Sequence, residues 1–169
     1  MAKYDKFFNS QKTIKEELTP EDAVTAIAVV TAAAESSLDE VDADTIADLL
    51  WDFEFFEELS EDDLYDAVDR LLAVADESGV GALFSSAKAL LTGDLLLDGF
   101  ASGVLMLVDE DELIIPKGRQ ALLKRLQEAL GIEDSDAQEV IDEVIEAFNE
   151  AETLDFEGEE EEEGEAHQN

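Results

Sequence analysis

The chain contains no cysteine and a single histidine, His167, in 169 residues. Without thiols it can form no disulfide, thiolate nucleophile, zinc–thiolate cluster or cysteine-ligated iron–sulfur centre. One histidine in a polar tail assembles neither a His-dependent triad nor a histidine-rich metal site. Basic residues are scarce as well: ten Lys and Arg stand against 46 Asp and Glu, for a formal net charge of −36. Such a polyanion repels phosphate backbones and anionic lipid, which excludes direct nucleic-acid binding through its own charge. No apolar run reaches the roughly 18 residues that suggest a membrane span. The N-terminal stretch MAKYDKFFNSQKTIKEELTPEDA lacks the apolar segment of a secretory signal, so the expectation is a cytoplasmic protein. Gly79-Val80-Gly81 is too short for a phosphate loop and reads as the end of one helix and the start of another.

What the chain does have is enough apolar material for one core. It is 46% hydrophobic, and at this length folding removes roughly 70% of the surface of an extended chain. Eight acids and no lysine or arginine fall in residues 155–169, which leaves −28 on residues 1–154. The fold itself is therefore acidic, and its self-repulsion weakens as salt shortens the Debye length. A high-salt or solubility adaptation is one reading of this charge. Four of the seven lysines are Lys3, Lys6, Lys12 and Lys15, beside Tyr4, Phe7 and Phe8. Residues 1–18 are accordingly expected to form a loosely held polar arm, residues 19–153 the helical domain, and residues 154–169, with the run GEEEEEGE, a disordered acidic tail.

Apolar residues recur at spacings of three and four along the chain, and no strand alternation competes. The expected fold is all-α, a compact bundle of about seven helices with an internal pseudo-repeat and two buried central helices. Thr19-Pro20-Glu21-Asp22 supplies an N-cap hydroxyl, a proline at the first helical position and first-turn carboxylates. Ten of the twelve residues 23–34 are apolar, which marks the first central helix. Residues 95–108 mark the second, with ten of fourteen strongly apolar and Gly99 and Gly103 one turn apart to permit close approach. Between them, a helix from Asp42 carries Ile46, Leu49, Leu50, Phe53 and Phe56. Ser60 caps another with Leu64, Val68, Leu71, Leu72 and Ala75 on one face, stopping before Gly79. Residues 80–92 form a shorter one with Leu83, Ala87, Leu90 and Leu91 inward. Asp94 is expected to cap the second central helix, Pro116 to open a helix ending at Gly131, and Ser135 with Gln138 to form a capping box for the last, which uses Val140, Val144, Ile145 and Phe148. Trp51, Phe53, Phe55 and Phe56 are expected in the core, with a partner groove as their other use, and Met106 reads as core packing.

Each half runs in the same order: apolar helix, acidic loop, two amphipathic helices. A shift of 75 sets Glu35 on Glu110, Leu38 on Leu113, Trp51 on Leu126 and Ser60 on Ser135, and a shift of 76 sets Leu64 on Val140 and Val68 on Val144. The two loops, ESSLDEVD at 35–42 and DEDELIIPK at 109–117, gather carboxylates around an aliphatic anchor. Carboxylate and carbonyl oxygens suit hard cations, which makes Glu35, Asp39, Asp42, Asp109 and Asp111 candidate ligands for Ca or Mg. EF-hand spacing is not met, since position five from Asp109 is Leu113 and position twelve is Gln120. The other reading of both loops is simply solvated charge. No residue is marked as catalytic.

These turns resemble those of the TerB-like family of bacterial tellurite-resistance systems, the TerB/DjlA-type helical domain, in which each of two buried helices leads into an A-D-G-x-[IL]-x-x-x-E turn. Here the first copy is Ala34-Glu35-Ser36-Ser37-Leu38 closing on Asp42, with Ser36 in place of the glycine. The second, Val108-Asp109-Glu110-Asp111-Glu112-Leu113, has one extra residue before the leucine and no glycine, and its closing acid falls on Lys117 or Gly118. The resemblance covers about residues 19–151. It implies a non-catalytic interaction or sensing module in tellurite-resistance or stress-response systems, working through protein partners, binding a divalent cation on a shared acidic surface, and associating at most indirectly with a membrane complex. Direct tellurite chemistry is not expected, since no thiol is present to reduce or trap the oxyanion. Two other classes stay open: an acidic decoy that mimics nucleic acid towards a basic partner, and a carboxylate-only hydrolase, for which no acid–base pair can be located.

Overall fold

Thr19 and Asp22 cap each other. The threonine hydroxyl accepts from the Asp22 amide (3.0 Å) while the Asp22 carboxylate accepts from the Thr19 amide (3.0 Å), which satisfies two of the free donors at a helix start. Asp22 is buried and also pairs with Arg70. The helix so opened is α2 (Pro20–Glu35), one of the elements of a computed structural model that describes residues 5–8, 12–15, 17–36, 40–51, 53, 56, 59–109 and 111–149. The others are α1 (Asp5–Phe8), α3 (Ala43–Trp51), α4 (Glu61–Ser78), α5 (Val80–Leu90), α6 (Asp94–Leu107), α7 (Lys117–Leu130) and α8 (residues 134–149). Among the described residues helix is the only extended regular structure, beside one isolated bridge between Asp109 and Ile114. The fold is all-α and built as a bundle.

Every residue of α2 from Asp22 to Thr31 is buried, as is the stretch of α6 from Gly99 to Leu105. These two central helices pack in direct contact: the Ser102 hydroxyl lies 2.8 Å from the Val24 carbonyl oxygen, Gly99 and Gly103 both face Ile27, Gly103 also faces Thr31, and Arg119 spans the last residues of the pair, Glu35 and Leu107. Thr25 and Thr31 donate their buried hydroxyls to the Glu21 and Ile27 carbonyls (2.8 and 2.7 Å), so no polar cost is left inside the helix pair.

The half-repeat is visible in the element order. Helices α2, α3 and α4 begin at residues 20, 43 and 61, and α6, α7 and α8 at 94, 117 and 134, which are steps of 74, 74 and 73 residues. The sequence register of 75 is thus one to two residues long. It set Ser135 on the cap Ser60, whereas Ala137 donates to the Glu133 carbonyl (2.9 Å) and α8 has already begun at Ser135. The expected Ser135–Gln138 box does not form, and Gln138 donates to Asp142 instead (2.9 Å). Ser60, Gly79 and Gly131 end or begin their helices as expected, Gly131 at φ 72°. Asp94 is the first residue of α6, with Gly93 in the cap position.

Several sequence expectations are corrected by packing between distant segments. The described part of the polar arm packs on the bundle: Phe8 is only 6% exposed, stacks edge-on against Phe84 (4.9 Å between centroids) and lies under Arg125, and the Ile14 amide donates to Ser86 (2.9 Å). Trp51 and Leu90, expected inside, are 46% and 39% exposed, and Met106 is only half-buried. α3 ends at Trp51 rather than continuing through Phe56, although Phe56 itself is fully buried and Phe53 packs on it edge-on (5.8 Å). Phe55 and the acidic tail from residue 154 lie outside the described residues. No helix among the described residues is long and apolar enough to cross a membrane.

Candidate functional site

The C-terminal ends of α2 and α6 lie at the same end of the bundle, where Arg119 bridges them. Glu35 is the last residue of α2; its Oε2 accepts from the Ser36 hydroxyl (2.9 Å) and its Oε1 from Arg119 Nε (3.3 Å). Arg119 also donates through Nη1 to the Leu107 carbonyl (3.1 Å), one of the carbonyls that the end of α6 leaves without a helical donor. One guanidinium from α7 therefore ties the C-terminal ends of both central helices together.

The second turn is closed around Asp109. Its Oδ1 accepts from the amides of Asp111 (2.9 Å) and Glu112 (3.2 Å), its own amide donates to the Ile114 carbonyl (2.8 Å), and its carbonyl accepts from Leu113 (2.8 Å). This is an Asx turn extended by one helical hydrogen bond, and it holds Leu113 at φ 57°. That left-handed conformation costs a residue with a Cβ about 1–2 kcal/mol, which the four hydrogen bonds of the turn offset. Asp111 is exposed, and no hydrogen bond or ion pair engages its carboxylate among the described residues.

Beside this turn lies an open hollow of about 360 Å³, lined by Leu49 of α3, Leu105 and Met106 of α6, Val108, Asp109, Asp111 and Arg119. Ile114, 48% exposed, is bonded through its carbonyl to the Asp109 amide in the same turn. Of the expected ligands, Asp109 and Asp111 line the hollow and Glu35 joins it through Arg119. Asp42 stands apart: its side chain accepts from the Asp44 amide (3.3 Å) and the Thr45 hydroxyl (3.5 Å) at the start of α3. Its charge, with those of Asp44, Asp69 and Asp66, reaches Tyr65, whose phenol is pushed above its usual range chiefly by Asp44 and Asp69. Asp39, like Leu38, lies outside the described residues. Among the described residues no three acidic or histidine side chains come close enough to share a metal ion, and a guanidinium stands between the turns that a shared cation would have to bridge.

Arg119, Leu49 and Met106 were not legible as site residues. A signal for Arg119 existed. It is one of only three arginines in a chain of 46 acids, and it lies in the first turn of a helix, where the macrodipole disfavours a cation; a cation there needs a partner from elsewhere. The chain gives no match to any family model, to curated proteins or to solved structures.

Proposed function

We propose that this chain is a non-catalytic helical interaction and sensing module of the TerB-like kind, serving a tellurite-resistance or stress-response system and engaging a protein partner at the pole where its two acidic turns emerge. The observation that supports the reading is the convergence at Arg119, which joins the end of α2 to the end of α6 next to a hollow lined by both aliphatic and charged side chains. Recognition surfaces are best held by such elements, since loops positioned by a scaffold lose little entropy on binding. Binding of Ca or Mg is the second part of the proposal and rests on Asp109 and Asp111, because Glu35 is already engaged by Arg119.

The partner reading is tested by affinity isolation from the source cells at their own salt, with the wild-type chain and with Met106→Glu, each with and without chelator. Proteins recovered by the wild type and lost from the variant support it; identical sets overturn it. The cation part is tested by thermal melting during Ca or Mg titration at constant ionic strength. A ligand at a hundredfold excess over its Kd adds about 2.7 kcal/mol to stability, and Asp111→Asn should reduce that gain. No shift up to millimolar metal removes the cation from the proposal.

A further inference from the structure

The rim and floor of the hollow differ in chemistry in a way that selects an occupant. Arg119 contributes no free charge, since its guanidinium is shared between Glu35 and the Leu107 carbonyl. What remains facing the opening is Asp111, unengaged among the described residues, and Asp109, whose Oδ1 alone serves the turn. Segment 109–119 holds four acids against Lys117 and Arg119, and Arg119 is paired, so the hollow sits in a negative field. The aliphatic part of the lining is Leu49 and Met106, both half-buried, with the buried Leu105 and Val108. An acidic ligand is repelled here, and a purely apolar one leaves two carboxylates desolvated beside it, which is costly. A lysine or arginine side chain meets both requirements, because its methylene stem packs on apolar surface while its charged head remains polar.

We propose that this hollow receives a lysine or arginine side chain from a basic segment of the partner protein, its stem against Leu49 and Met106 and its head between Asp109 and Asp111. The proposal rests on the interaction reading above and names the chemistry of the partner at that site. Ile114, exposed on the same turn as Asp109 and Asp111, provides a contact for an apolar neighbour on the same segment.

The test uses the full chain and three synthetic amphipathic peptides of equal length: lysine–leucine, glutamate–leucine, and one in which diaminopropionic acid replaces lysine, keeping the charge and removing the stem. Binding is followed by amide and methyl NMR at about 0.15 M and about 1 M salt, across which the Debye length falls from about 8 to about 3 Å. The lysine peptide should shift the signals of Leu49, Met106, Val108, Asp111 and Ile114, the short-stem peptide should bind more weakly, and the glutamate peptide should not bind. Asp111→Asn should weaken the lysine peptide by about fivefold, the worth of one partly exposed ion pair, while Glu139→Gln, the same charge change on the exposed side of α8, should leave it unaltered. Met106→Glu gives the sharpest contrast. If attraction to the acidic surface as a whole explains binding, the added charge tightens it; if the stem seats on Met106, binding is lost although the surface has become more negative.

Shifts spread over α4 and α8, equal effects of Asp111→Asn and Glu139→Gln, or tighter binding by Met106→Glu would each overturn the inference. Should Met106→Glu lower the melting temperature, the Asp111→Asn comparison still decides, since that carboxylate supports nothing in the fold. Cellular partners lost from Met106→Glu without any hollow-specific basic peptide binding would leave the interaction reading intact and remove the basic side chain from it.

Discussion

Gly103 has no room for a side chain. A Cβ there would stand 2.5 Å from Leu126 Cδ2 and 3.0 Å from the buried Thr31 Oγ1, whereas one at Gly118 would meet nothing within 4 Å. Gly103→Ala should therefore cost about 1–3 kcal/mol in urea denaturation through overpacking between α2, α6 and α7. Gly118→Ala, a gain in helix propensity on an open surface, should be neutral or stabilising by less than about 1 kcal/mol. Equal effects of the two would mean that the central helices are not this close. Asp98 illustrates a different kind of residue-level tension. It lies half-buried on α6, and burial first, then the charge of Asp94, raise its carboxyl above the ordinary range. A raised acid binds its proton more tightly in the folded state, so the stability it contributes is present below the unfolded pKa and is lost as pH rises through the folded one. Asp98→Asn should accordingly raise the melting temperature at pH 7, and the advantage should vanish as pH falls below the carboxylate range; an advantage independent of pH would contradict this account.

Among the elements, the turn after α6 carries the most local information. Asp109 serves it as acceptor and as charge, and the two roles separate by substitution. Asp109→Asn keeps an oxygen for the Asp111 and Glu112 amides and should change stability little, while Asp109→Ala leaves both amides without that partner and should cost about 1–2 kcal/mol. If the two variants melt alike, the Asx turn does not hold Leu113 in its left-handed conformation. The clasp between α2, α6 and α7 is weaker. Arg119 and Glu35 are each about one-third exposed, so their pairing is worth at most about 1 kcal/mol in a double-mutant cycle. Its importance is geometric, since it joins the ends of α2 and α6.

For the whole molecule, charge and symmetry act together. The exposed surface of α4 carries Asp62, Asp66, Asp69, Asp76 and Glu77, and that of α8 carries Asp136, Glu139, Asp142, Glu143 and Glu146. These helices hold equivalent places in the two halves, and both halves carry the same kind of repulsion. Only three ion pairs, at Asp22, Glu35 and Asp134, are present among the described residues, far too few to balance the charge. The melting temperature should therefore climb steadily with NaCl from about 0.01 to about 1 M, where the Debye length drops from about 30 to about 3 Å. A flat profile would show that the acids are already neutralised within the folded chain.

Helix class, the ends at Thr19, Ser60 and Gly131, and the burial of residues 23–34 could be read from residue order, because capping and helical periodicity act within one or two turns of chain. The close approach at Gly103 was foreshadowed in the same way by two small residues one turn apart. The burial of Phe8, the exposure of Trp51 and Leu90, and the position of Met106 beside the hollow follow no local pattern. They depend on which helix faces which across 70 residues or more, as when Phe8 meets Phe84 or Arg119 meets Glu35. The acidic turns were visible as charge, but a carboxylate does not announce its partner. Only the tertiary packing of α2, α6 and α7 brings Glu35 to Arg119 and sets Asp109 and Asp111 beside Leu49.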